Sequence, residues 1–345
     1  MSKKQTCKKK KENHGGHRSR RFLRGLWSRF FWYFLPLYLI LCCVDYALPH
    51  QTQALRSWAQ SRISEAGLSL DRETVTPEPA QTHSVQNESE QNQASDLEVH
   101  FLDVGQGLSV FVRSGEHTLL YDGGDRDTSS FVVAYLKQQQ VESLDYVIAS
   151  HYDADHISGL IGALHVFPAD TIMGPDYVHE SDTYSSLCQA VREQGKTLIH
   201  PAPGETYYLG DASFTVLAPL DEYEDSNNNS MVIRIADNGS SFLLTGDAEE
   251  ASEKDMCLQD GELSSDVLCA GHHGSSTATT DLFLSMVQPA YAIISAGKDN
   301  EYGHPHQETL QRLSAHGVQV LQTSELGTIV FSSDGNSLTW NAARQ

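Results

Sequence analysis

The segment Ser150-His151-Tyr152-Asp153-Ala154-Asp155-His156 constrains this chain more than any other. It directly follows the apolar run Asp145-Tyr146-Val147-Ile148-Ala149. Two imidazoles and two carboxylates therefore crowd into six residues where a buried strand gives way to a loop. These are the side chains that borderline and hard divalent cations prefer. A tight loop lets alternate residues converge on one point, and Asp155 and His156 can face a second. Gly159 and Gly162, just beyond, permit close backbone packing. The bland alternative is a polar surface loop, which gives no reason for four such groups directly after a strand.

Three further segments place polar groups at strand ends. Phe242-Leu243-Leu244-Thr245-Gly246-Asp247 is an apolar strand closing on Gly-Asp, with a helix starting near Glu249. Asp247 reads either as a carboxylate placed to bridge two cations or as a turn or helix-capping residue. Cys269-Ala270-Gly271-His272-His273-Gly274-Ser275-Ser276 follows Val267 and Leu268. Adjacent histidines in an extended segment point opposite ways, so one can ligate while the other faces substrate; which does which stays open. Ser295–His306 brings His304 and His306, equally readable as site residues or as ordinary loop residues.

Around these segments the pattern is of short strands. They are expected at Leu97–Asp103, Leu108–Arg113, Thr118–Asp122, Leu144–Ser150, Thr171–Gly174, Thr197–His200 and Ser213–Ala218. More are expected at Met231–Ala236, Ser241–Thr245, Asp266–Ala270, Tyr291–Ser295, Val318–Gln322, Thr328–Phe331 and Ser337–Trp340. Helical periodicity occupies Ser129–Gln140, Thr183–Gln194, Glu249–Leu258, Thr279–Val287 and Gln307–Ala315. Hairpins first, then strand–helix alternation, suit a two-sheet core with helices outside.

Charge divides the chain. Residues 1–49 carry eleven Lys/Arg and two acids, about +9, which leaves about −30 on the remainder. A basic head on an acidic body is a membrane-topology signal. The run from Phe30 to Val44, extending to Leu48 across Asp45, is at the short end for spanning a bilayer. Its basic flank places the N-terminus in the cytoplasm and the body outside. Asp45 sits three residues before the only nearby small-residue cleavage point, after Ala47, and so favours an anchor over a cleaved signal. The expected organisation is a basic cytoplasmic tail (1–29), a transmembrane anchor or signal segment (30–48), a disordered Gln/Ser/Glu-rich stalk (49–96) and one domain (97–345). If the anchor is cleaved, the domain is secreted. Cysteines fall at positions 7, 42, 43, 188, 257 and 269, with no C-x-x-C pair, so no zinc-finger, redox or disulfide framework is read.

Taken together, Asp103-Val-Gly-Gln-Gly107, Tyr121-Asp-Gly-Gly124, His151-Tyr-Asp-Ala-Asp-His156, Asn229-Ser230, Thr245-Gly-Asp247, His272-His-Gly-Ser275 and Tyr302-Gly-His-Pro305 resemble the metallo-β-lactamase superfamily. Within it they are most similar to the hydrolase domain of ComEC-type competence (DNA-uptake) proteins, over residues 97 to about 341. The resemblance implies an α+β fold, a four-layer αββα sandwich, with one or two divalent ions, Zn2+ or Mn2+, at one edge of the sheets. By the family pattern His151 and Asp153 serve a first metal, Asp155, His156 and His272 a second, and Asp247 bridges them. Asp122 matches an acid that buttresses the site, and Asp103 and Gln106 border it. Asp153 stands where many members have His, a departure the ComEC-type group shares. The usual further His before the bridging Asp is absent, with Asn229-Ser230 in its region, which implies a ligand-poor first site. Leu108 replaces a commonly polar neighbour. The sequence also carries one apolar segment in place of that family's multi-span channel.

The chemistry so implied is hydrolysis by metal-activated water. Asp155 would orient the nucleophile and take its proton; His273 and His304 would stabilise developing charge or protonate the leaving group. A phosphodiester is the leading substrate by analogy, since one fold hosts many chemistries. The acidic body disfavours a long nucleic acid, because Lys and Arg normally neutralise phosphates, and it suits a small or cell-envelope phosphodiester. Rival expectations are an amide, ester or lactone hydrolase on the same fold, and a non-catalytic binding module that retains metal. A serine hydrolase is not indicated, because no G-x-S-x-G occurs.

Overall fold

A computed structural model describes residues 96–259 and 261–343. The basic tail, the apolar run 30–48 and residues 49–95 of the stalk lie outside the described residues, so the expected transmembrane anchor is not among them. Among the described residues no helix is long and apolar enough to cross a membrane.

The described strands form two sheets. The first contains β1 (Leu97–Phe101), β2 (Val110–Ser114), β3 (His117–Tyr121), β4 (Leu144–Ile148), β5 (Ala169–Met173), β6 (Leu198–Ile199), β14 (Ile329–Ser333) and β15 (Leu338–Ala342). Their spatial order is β15-β14-β1-β2-β3-β4-β5-β6. The second runs β13-β12-β11-β10-β9-β8-β7. It is built from β7 (Thr206–Leu209), β8 (Ala212–Ala218), β9 (Val232–Ala236), β10 (Ser241–Leu244), β11 (Val267–Cys269), β12 (Tyr291–Ile294) and β13 (Gln319–Gln322). Helices α1 (Ser129–Gln138), α2 (Ala154–Leu164) and α3 (Asp182–Glu193) cover the first sheet, and α4 (Glu250–Leu258), α5 (Asp281–Val287) and α6 (Gln307–Ala315) cover the second.

Three apolar layers hold these four together. Between the sheets lie Val99, Phe101, Val112 and Phe331 from one side and Phe214, Ile233, Phe242 and Ile293 from the other. Leu120, Val147, Leu136, Leu160 and Val191 fill the space under α1–α3. Leu243, Leu268, Met256, Phe283 and Leu313 do the same under α4–α6. The central strands are therefore buried on both faces. That is why they read as continuous apolar runs rather than as an alternation. The αββα sandwich is thus the observed architecture.

The halves of each sheet differ in a way that creates the site. β3 through β6 are mutually parallel, as are β10 through β13. Parallel strands present all their carboxyl ends on one side, where loops to the covering helices gather and ligands bind. The loops after β4, β10, β11 and β12 are the four polar segments singled out in the sequence.

Two elements depart from expectation. The segment after β4 is not all loop: α2 begins at Ala154, with Asp153 as its N-cap and Asp155 in its first turn. β7 is an added edge strand, with Thr206 and Tyr208 exposed and only Leu209 buried, so it lacks an apolar signature. Close backbone packing at Gly159 is observed. A Cβ there would stand 1.7 Å from the Gly123 carbonyl oxygen, and Gly123 donates its N–H to His156 O at 2.7 Å. Phe331 joins the sheets, edge-on to Phe242 and Tyr291 of the second and to Phe101 of its own. Phe331→Ala should therefore lower stability by about 3–5 kcal/mol in urea unfolding. A loss below about 1 kcal/mol would show that this ring does not hold the sheets together.

Candidate metal centre

Asp122 ends β3 in a left-handed conformation, φ 57°, and is fully buried. Its carboxylate accepts the Ser150 backbone N–H and the Ser150 hydroxyl, both at 2.7 Å, and the His156 Nδ1–H at 2.8 Å. Because the Ser150 hydroxyl donates to Asp122, it can only accept from His151, whose Nδ1 lies 3.0 Å away. His273 in turn donates Nδ1–H to Ser295 O at 2.9 Å. Each of these three rings thus has its Nδ1 proton engaged and its Nε2 lone pair turned inward, the tautomer that outer hydrogen bonds impose on metal-binding histidines.

The three Nε2 atoms meet at Asp247, on the turn after β10 and 4% exposed. Asp247 Oδ1 is 3.3 Å from His156 Nε2, and Oδ2 is 3.4 Å from His273 Nε2 and 3.9 Å from His151 Nε2. His156 Nε2 and His273 Nε2 face each other at 3.3 Å. Two lone pairs at that separation repel unless a cation or a proton lies between them. His151 Nε2 and Asp247 Oδ1 are buried with no hydrogen-bond partner among the described residues. An orphaned buried polar atom costs about 1–3 kcal/mol, so a second function is implied. The donor atoms of His151, His156 and Asp247 lie within 4.8 Å of one another, as do those of Asp155, His156 and His273. Imidazole nitrogen with carboxylate oxygen in such groups fits a divalent cation.

Electrostatics point the same way. Burial opposes charge on His156, yet Asp247, Asp122 and Asp155 outweigh it and hold the ring's pKa well above the usual range. Burial opposes charge on His273 too, and Asp247 and Asp155 still lift it to about 9. Protons here occupy the place that the carboxylates reserve for positive charge. Asp155 is held low in spite of burial, by His156 and His273. His304 goes the other way: burial, then His272 and His273, press it down to about 4, so it is neutral at pH 7.

The remaining sequence-predicted residues lie at the margins. Asp153 belongs to neither group; its Oδ2 is 3.7 Å from His151 Nε2 and its Oδ1 is 3.5 Å from His179 Nε2. Where the resemblance implies His272 beside Asp155 and His156, the geometry supplies His273. The two histidines are not extended: both are left-handed, φ 48° and 55°, and the second ring is buried while the first is a quarter exposed. His272 instead pairs its Nδ1 with Glu249 Oε1 at 2.7 Å and shows Nε2 to Asp247 Oδ2 at 3.8 Å. Glu249 also accepts from the Thr277 hydroxyl at 2.7 Å. His304 sits beside His272, ring centres 5.4 Å apart, with Gln106 reaching its Nδ1 at 3.5 Å. His306 is a loop residue that accepts the Ser276 N–H at 2.9 Å. In the Asn229-Ser230 region, the Ser230 hydroxyl accepts the Asp247 N–H at 3.2 Å, while Asn229 binds the backbone of its own turn. Sequence reasoning missed His179 and the pairing of Glu249. Only the position of Glu249, two residues after Asp247, was a usable signal.

A buried cluster of imidazoles and carboxylates at the carboxyl edges of an αββα sandwich defines a class. The model of the Metallo-beta-lactamase superfamily matches residues 102–298, and the chain belongs to that superfamily. Three of its curated relatives are ComEC-type competence proteins. ComE operon protein 3 of Bacillus subtilis is 33% identical over 257 residues, covering 69% of this chain and 33% of its own length. Competence protein ComA of Neisseria gonorrhoeae is 30% identical over 301 residues, 86% of this chain and 38% of its own. The chain thus spans about a third of the length of these relatives. Among solved structures, the metallo-beta-lactamase fold protein YhfI from Bacillus subtilis aligns over 71% of this chain and 100% of its own, with TM-score 0.44 and 16% identity.

Two outcomes are expected. Asp122→Asn removes the charge that orients Ser150 and His156, and should weaken divalent-cation affinity about 10–100-fold in chelator competition. A folded variant with unchanged affinity would remove Asp122 from the support of the centre. Cation binding must also displace the protons on His156 and His273. Affinity should therefore climb between pH 6 and pH 9, by up to about tenfold per unit for each proton released. A flat profile would contradict the proton–cation competition.

Proposed function

We propose that the protein is a metal-dependent hydrolase acting on a phosphodiester, displayed outside the cytoplasm by its N-terminal apolar segment. The observation that carries the hydrolytic reading is the convergence of three buried imidazole Nε2 atoms on Asp247, with two buried polar atoms left unpartnered. In this reading His151 and Asp247 would hold one divalent ion, and Asp155, His156 and His273 a second, because the single inward nitrogen of His156 can serve only one. When bound, such ions supply Lewis acidity and lower the pKa of attacking water. Zinc and manganese both suit the donor set.

The chain's own groups then divide the work. Asp155 is about one-third exposed on its outer side while its Oδ2 lies 3.4 Å from His273 Nε2. It is the carboxylate placed to orient a water and receive its proton. His272 shows its Nε2 to the open side of the centre, its other nitrogen held by Glu249. It therefore takes the place expected of His304 as donor to the leaving oxygen, because His304 is uncharged at neutral pH. His304 is left to accept or to pack against substrate. The basic head and the apolar run support display of the acidic domain across a membrane.

The test is turnover of bis-p-nitrophenyl phosphate by the purified chain. Activity should vanish on chelation and return with manganese or zinc. Asp155→Asn should lower kcat by about 100-fold or more, the usual scale for a positioned general base. Hydrolysis of nitrocefin or a lactone instead would move the substrate to an amide or ester. Retained metal with no turnover, and an Asp155→Asn variant indistinguishable from the parent, would leave only a binding module.

A further inference from the structure

A cleft of about 600 Å³ opens beside the centre, its wall running from Gln106 and Asp155 to Lys298, Asn300 and Tyr302. Tyr302 is 64% exposed, although it is a large aromatic at the rim of a buried site. Its ring stacks on His304, centres 5.7 Å apart and 21° from parallel. The loop beneath it is fixed. Asn300 Oδ1 accepts the N–H groups of Tyr302 and His304 at 3.1 and 3.0 Å, and Asn300 Nδ2 donates to Gly297 O and His304 O at 2.9 and 2.6 Å. His306 Nε2 adds a bond to Tyr302 O at 3.2 Å. The ring is thus held in place without being covered, which gives it no packing role in the fold.

Lys298 is the one Lys or Arg lining this cleft, and among the described residues it forms no ion pair. Asp125, Asp155, Asp299 and Glu301 share the lining, so a run of negative groups is repelled here and Lys298 is the one side chain placed to pair with an anion. A second cleft, about 790 Å³, lies on the His179 side. It is lined by Asp176, Glu180, Glu222, Glu224 and Asp225 with no Lys or Arg, and repels a phosphate.

We infer that Tyr302 and Lys298 are specificity residues of the centre. Tyr302 stacks against a planar ring on the substrate, and Lys298 pairs with one anionic group. The inference rests on the phosphodiester reading and narrows it to small diesters that carry a flat ring next to the phosphate. The reaction remains hydrolysis: one P–O ester bond breaks, one forms to the water oxygen, and the leaving oxygen gains a proton.

Two diesters separate the possibilities, dithymidine monophosphate and glycerophosphoglycerol, each assayed with the manganese-loaded full chain. Tyr302→Ala should raise KM for the thymidine probe about 5–100-fold, the scale of one base–aromatic stack, with kcat within about twofold. KM for the glycerol probe should stay unchanged, and Tyr302→Trp should restore the preference. Lys298→Ala should raise KM on both probes. Equilibrium binding of thymidine monophosphate against glycerophosphate, measured by calorimetry on the same proteins, reads the rim without turnover. Equal binding of the two by the parent chain, or a preference that survives Tyr302→Ala, overturns the inference. Ring-dependent binding without hydrolysis of either diester leaves the rim standing and overturns the hydrolytic reading instead.

Discussion

A buried carboxylate with three donors around it sets the order of the whole site. Asp122 lies beneath the centre, and a charge there is tolerated only because Ser150 and His156 satisfy it. Those hydrogen bonds do more than neutralise a cost. They fasten the end of β3 to the end of β4 and to the first turn of α2. They also fix which nitrogen of His156 faces inward and, through the Ser150 hydroxyl, which nitrogen of His151 does. The second sheet repeats the device by other means, with the Ser295 carbonyl turning His273. The sandwich brings its two sheets' carboxyl edges together, and backbone or carboxylate acceptors decide what each ring shows there.

What was legible in the sequence was what is local. An apolar strand followed at once by His and Asp announces its own fate, because both halves of the signal lie within a dozen residues. His151, Asp155, His156 and Asp247, which the structure brings together, were singled out this way, and so were the central strands, since helices outside and a sheet inside bury both faces. The start of α2 was hidden because the same side chains that mark a metal loop also mark a helix N-terminus: Asp153 as N-cap, Asp155 in the first turn. β7 escaped because an exposed edge strand needs no apolar periodicity. The direction of His272 and His273 was unreadable, since histidine enters the left-handed region more often than most residues but too rarely for its type alone to announce a pair. His179 comes from a loop before α3 that shares no local pattern with Asp153, so only the tertiary fold pairs them.

Ser230, in the region of the histidine that many superfamily members carry, changes the balance between the two groups of donors. The first retains His151 and Asp247, with Asp153 standing off at 3.7 Å from the His151 ring. The second gathers Asp155, His156 and His273 around the same Asp247. Three carboxylates within reach of His156 outweigh the cost of burying its charge, and that balance makes the centre attract positive charge in any form. The acidity of the domain as a whole adds to this attraction for cations while opposing polyanions.

Three of the seven non-glycine residues with positive φ among the described residues, Asp122, His272 and His273, stand at the centre; Gln140, Thr279, Gln288 and Asp299 are the others. Each such residue costs on the order of 1–3 kcal/mol and persists only where its surroundings over-determine it. Here they do: the Asp122 carboxylate is bonded to Ser150 and His156, His272 to Glu249, and His273 to Ser295. Hydrogen bonds that outlast such strain hold donors in place before any ligand arrives. A loop free to relax would instead let His156 and His273 swing apart and relieve the 3.3 Å approach of their nitrogens. That the approach is retained, at a point where only a proton or a cation between the two nitrogens relieves it, is the physical argument that these side chains are arranged to hold positive charge.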